Sequence, residues 1–82
     1  MCDKESLIDN VGKIHTTELG AGRIKRNLKL STDDVVGYCR DKILDESCHI
    51  YRQGKNWYCE TGDIKITVNA NSYTVITAHI VK

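Results

Sequence analysis

The sequence predicts an α+β domain: about three N-terminal helices packed on one face of a four-stranded antiparallel β-meander. Three observations lead there. Apolar residues recur at helical spacing up to about residue 46 and alternate at a period of two beyond it. The later segments are separated by short Gly- and Asn-containing turns, and connections that short demand antiparallel neighbours. The chain has 82 residues, which fits a single domain over 1–82.

The elements follow in order. Asp3 or Ser6 caps a first helix, with Leu7, Ile8, Val11 and Ile14 at helical spacing and Gly12 weakening its last turns. Thr16 or Thr17 caps a second, with Glu18 in its first turn and Leu19, Ile24 and Leu28 as its apolar face. Gly20 and Gly22 are costly inside a helix, which points to a close backbone approach or a loop. Ser31 and Asp34 match a capping box for a third helix, whose stripe is Val35, Val36, Cys39, Ile43 and Leu44. Strands are expected at 48–53, 57–60, 64–69 and 73–80. In the third, Ile64, Ile66 and Val68 face a core, while Lys65, Thr67 and Asn69 face away. In the fourth, alternation places Ile76, Ala78 and Ile80 in the core and displays Tyr73, Val75, Thr77 and His79 on the other face.

Composition excludes several classes. With 40% hydrophobic and 28% charged residues the chain is globular and not disordered. Neither a signal peptide nor a run of about 20 apolar residues is visible, so a cytoplasmic protein with no membrane partner is expected. Cys2, Cys39, Cys48 and Cys59 form no C-x-x-C pair, which predicts thiols and no metal site. The acids Asp33, Asp34, Asp41 and Asp45 cluster on the third helix, where capping and solvation account for them. No phosphate-cradling loop is present, and no cofactor is expected.

The net charge of +1 hides an uneven distribution. Arg23, Lys25, Arg26 and Lys29 form a basic segment free of acids, readable as a solvated helix face or as a phosphate-binding stripe. Gly54-Lys-Asn-Trp-Tyr58 adds a cation and two aromatics at a hairpin tip, Tyr58 being suited to stack on a base. RNA cleavage by the strand's own 2′-OH needs a base, an acid and cations, and histidine does both proton jobs near neutral pH. His15 or His79, with Arg23 and Lys55, would supply these parts, and Tyr73 and Thr77 share the displayed sheet face with His79; the candidate catalytic set is His15, Arg23, Tyr73, Thr77 and His79. Lys13, Arg23, Arg26, Lys29, Lys55, Tyr58 and Asn69 are the candidate nucleic-acid contacts. His49 reads as a strand-edge residue outside this set.

Gly12-Lys-Ile-His-Thr-Thr-Glu-Leu-Gly20, Arg23-Ile-Lys-Arg-Asn-Leu28, Gly54-Lys-Asn-Trp-Tyr58 and Ser72-Tyr-Thr-Val-Ile-Thr-Ala-His79 resemble a family of short bacterial and mobile-element proteins of unknown function. The resemblance spans roughly residues 7–79. A looser likeness, helices followed by a meander ending in Asn69, Tyr73, Thr77 and His79, is to the ribonuclease toxins around barnase, colicin D and RelE. It implies a small RNA-binding or metal-independent RNA-cleaving domain, with RNA as substrate and an antitoxin as protein partner. The alternative is a non-catalytic phage or mobile-element protein that inhibits a host nuclease or defence complex. Either is a monomer or a homodimer.

Overall fold

The computed structural model describes residues 3–81, with side chains from residue 6 onward. The chain runs through α1 (Asp3–Asp9), a 3-10 turn (Val11–Lys13), α2 (Glu18–Leu28) and α3 (Val35–Ile43). Four strands follow: β1 (His49–Gln53), β2 (Asn56–Thr61), β3 (Ile64–Asn69) and β4 (Val75–Ile80). They form one sheet in the order β1-β2-β3-β4, each neighbouring pair antiparallel. The fold is the expected α+β arrangement, helices first.

Local chemistry explains the helix boundaries. α1 stops at Asp9, short of the expected Ile14. Asn10 folds its side-chain amide back onto the Ser6 carbonyl at 2.8 Å, and Ile14 is extended yet buried. Ser6 lies within α1, and Asp3 as a cap falls outside the described side chains. Thr17 caps α2 by accepting from the Gly20 amide at 3.0 Å. A Cβ at position 20 would stand 2.5 Å from the Thr16 hydroxyl oxygen, so this N-terminus needs its glycine. The expected Ser31 capping box does not form. Asp34 is the cap and accepts from the Gly37 amide at 3.0 Å, while Asp33 pairs with Lys25.

One core binds the two layers. Leu7, Ile24, Val35, Cys39 and Ile43 from the helices meet Ile50, Trp57, Cys59, Ile66, Val68, Val75 and Ala78 from the sheet. Each large aliphatic side chain so buried contributes about 1.5–3 kcal/mol. Two residues expected in the apolar stripes are outside it: Leu19 is 81% exposed and Leu44 48%.

Register decides what the sheet displays. Gly54-Lys55 and Gly62-Asp63 are two-residue loops with positive φ at the glycine (61° and 56°), as type II′ hairpins require. They leave the β1–β2–β3 register no freedom. Between β3 and β4 the pairing slips: Thr67 opposes Thr77, but Val68 opposes Val75. Ile76 is the extra residue of a β-bulge, and the alternation breaks there. The expected parity of the last strand is therefore corrected. Val75 is buried in the core, Ile76 and Ile80 are 43% and 44% exposed, and only Thr77 and His79 share the outer face.

Candidate active site on the open sheet face

The face of the sheet away from the helices carries the polar side chains. Direct antiparallel partners lie on the same face, so the register places them in rows. One row runs His49, Glu60, Lys65, His79 across all four strands. The row beside it runs Tyr51, Tyr58, Thr67, Thr77. Strands sit about 4.8 Å apart, so Glu60 and His79 flank Lys65 at roughly 10 Å from one another, measured between backbones.

The side chains in these rows touch. The Tyr51 hydroxyl donates to Glu60 Oε2 at 2.8 Å. Lys65 Nζ stands 4.0 Å from the same oxygen and 5.0 Å from the centre of the Tyr58 ring. Tyr51 and Tyr58 stack at 5.5 Å with an interplanar angle of 24°, and His49 lies 5.4 Å from Tyr51. The hydrogen bond to Glu60, reinforced by that carboxylate's charge, pushes the Tyr51 phenol above its ordinary range and keeps it a neutral donor. A carboxylate, an ammonium and an imidazole on three consecutive strands are the parts that proton transfer at a charged centre requires.

Residues 8–79 match the family described as "Protein of unknown function (DUF3781)". The chain belongs to DUF3781. No curated protein and no solved structure matches it. The span matched to DUF3781 takes in both rows and ends on His79.

The residues expected to be catalytic in this DUF3781 chain are dispersed. Thr77 and His79 lie on the open face. His15 is exposed and forms an isolated parallel bridge with Thr74, its Nε2 3.1 Å from the Thr74 hydroxyl oxygen. Thr74 and His79 are five positions apart, about 16 Å of strand, so His15 and His79 do not share a cleft. Tyr73 adopts a left-handed backbone (φ 58°) on the core side of the bulge, its ring 5.5 Å from Trp57 and 5.7 Å below Lys13 Nζ. Arg23, Arg26 and Lys29 are exposed in the helical layer, on α2 and its C-cap. Tyr58 is in the second row of the open face. Lys55 and Asn69 line a separate cleft at the far end of the sheet. Asn69 Oδ1 accepts from the Asn71 and Ser72 amides at 3.0 Å each, which shapes the turn into β4.

Sequence reasoning passed over His49, Tyr51, Glu60 and Lys65 as site residues. The signal was present. With two-residue loops after Gln53 and Thr61, counting outward from each turn puts His49 opposite Glu60 and Glu60 opposite Lys65.

The cysteines are packing. Cys39, Cys48 and Cys59 are buried, and Cys2 lies outside the described residues. Burial lifts the Cys39 thiol from 9.0 to about 11. Cys59 is pushed up by its hydrogen bond with Cys48 and by burial. Neither supplies a thiolate nucleophile near neutral pH. Between pH 9 and 11 the unfolded Cys39 releases its proton and the folded one keeps it, so stability falls as pH rises through that window. Urea midpoints measured across it should decline, and Cys39→Ala should flatten the decline. Among the described residues no three His, Cys, Asp or Glu side chains could hold a metal ion together, and no helix is long and apolar enough to cross a membrane.

Proposed function

We propose that this protein is a metal-independent endoribonuclease working from the open face of its sheet. The observation that carries the reading is the cross-strand sequence Glu60, Lys65, His79: a base, a cation and an acid side by side. The Glu60 carboxylate removes the proton from a ribose 2′-OH. The 2′ oxygen attacks the adjacent phosphorus, the bond to O5′ breaks, and protonated His79 delivers a proton to the departing O5′. The products are a 2′,3′-cyclic phosphate and a 5′-hydroxyl end. Lys65, between base and acid, neutralises the charge that grows on the non-bridging oxygens, the largest single contribution in reactions of this kind. Tyr51 holds one carboxylate oxygen of Glu60 and leaves the other for the substrate. The Tyr58 ring offers a stacking surface for a neighbouring base.

The test is an unstructured RNA oligonucleotide incubated with the protein in EDTA. Cleavage with cyclic-phosphate ends is expected from the wild type, and none when every ribose is 2′-deoxy. His79→Ala should lower the rate by about 10²-fold or more. RNA left intact by the wild type would overturn the reading.

A further inference from the structure

We propose that the cleft between the β1–β2 turn and the turn entering β4 is a phosphate subsite, which grips the RNA backbone away from the bond being cut. The inference rests on the ribonuclease reading above and assigns that enzyme a polynucleotide substrate in place of a dinucleotide. The cleft, of about 510 Å³, is lined by Arg52, Lys55, Asn69, Ala70 and Asn71. Arg52 is held in place: its Nε donates to the Gly54 carbonyl at 3.0 Å, and its guanidinium lies 5.6 Å from the centre of the Trp57 ring. Its two terminal nitrogens remain for an oxyanion, which a guanidinium fork binds in a bidentate manner. Asn69 uses its side-chain oxygen in the turn, and its amide nitrogen remains a donor.

The charge is uncompensated. The ion pairs among the described residues are Lys25–Asp33 and Lys65–Glu60, so neither Arg52 nor Lys55 has a carboxylate partner there. Lys13 extends the positive edge, with its Nζ over Tyr73 and that ring against Trp57. A phosphodiester chain is the ligand that meets two unpaired cations and an amide donor together. Arg52 is three residues along β1 from His49, about 10 Å, and the odd spacing turns its side chain to the helix side of the sheet, against Trp57. A strand held at both places passes around the end of the sheet, so the cleft contacts a phosphate several nucleotides from the scissile one.

The experiment separates this subsite from the cleavage reading. A fluorescein-labelled oligonucleotide with 2′-O-methyl riboses cannot supply the nucleophile but keeps every phosphate. Its binding is measured by anisotropy across a salt series, with the wild type, Lys55→Gln and the Arg52→Gln/Lys55→Gln double variant. Single-stranded contacts contribute about 0.7 each to the slope of log affinity against log salt. The double variant should bind at least about tenfold more weakly, with a slope shallower by about 1.4 for two lost phosphate contacts, and Lys55→Gln should fall between. Lys55→Gln touches no packed ring, so its intermediate position does not depend on the Arg52–Trp57 contact. Wild-type affinity and slope in the double variant overturn the subsite and leave the cleavage reading standing. Failure of the wild type to bind at low salt also overturns it. Binding lost in the variants, with unmethylated RNA bound by the wild type but never cut, supports the subsite and removes the ribonuclease reading.

Discussion

Glu60→Gln is expected to lower RNA cleavage by about 10²–10⁴-fold, the range that general acid–base catalysis contributes. The substitution keeps size and hydrogen bonding: the Tyr51 hydroxyl, which now donates to Oε2, can donate equally to an amide oxygen. What disappears is the capacity to accept the 2′ proton. Glu60 is half-buried on the open face and takes no part in the core, so the folded state should persist, with an unchanged circular dichroism spectrum. Separate kcat and KM values provide the second readout: kcat and kcat/KM should fall together, as expected when an interaction made only in the transition state is removed. A variant with wild-type rates would remove Glu60 from the mechanism and with it the role assigned to the row.

Ile66→Ala should cost about 2–5 kcal/mol, whereas Ile76→Ala should cost well under about 1 kcal/mol. Ile66 is fully buried, between Cys59 on β2 and Ala78 on β4. Truncation there removes contacts and leaves a hole that packed neighbours cannot fill. Small domains start from modest stability, so the Ile66 variant should be largely unfolded near room temperature. Ile76 is the bulge residue and is 43% exposed. Its side chain already lies largely in water, so truncation changes little. Urea titration followed by Trp57 fluorescence would rank the two. Equal losses would contradict the bulge, because an unbroken alternation makes the two positions equivalent.

Pattern predicted the four strands to within two residues at each boundary. The turns at Gly54 and Gly62 were expected, but as three-residue segments, 54–56 and 61–63; the observed loops are two residues long, and that one-residue difference sets the alignment of His49, Glu60 and Lys65. That those residues form a row is a property of the strand pairing, which alternation along each single strand does not contain. His15 illustrates the opposite error. Its place among helix-capping residues looked like a catalytic position, but the backbone uses that segment to pair with Thr74 at the entry to β4. The apolar stripes of the second and third helices were correct at their centres and wrong at Leu19 and Leu44. Helical spacing says which side chains share a face but not how far the neighbouring layer extends.

Element types, their order and the cap at Thr17 are legible in the amino-acid pattern, because each depends on interactions within a few residues, such as a hydroxyl on a nearby amide. The cap at Asp34 and the two-residue loops at Gly54 and Gly62 are local too, but Ser31 and the residues flanking each glycine offer competing local solutions. The faces of Val75 and Ile76 at the start of the last strand depend on long-range contacts. The turn into β4 is longer, is shaped by the Asn69 side chain, and ends where His15 pairs with Thr74 from far along the chain. A one-residue slip there reverses the side chains on one side of the bulge relative to those on the other. It sends Val75 into the core and leaves Ile76 in solvent, whereas Thr77, Ala78 and His79 keep the faces that alternation assigns them.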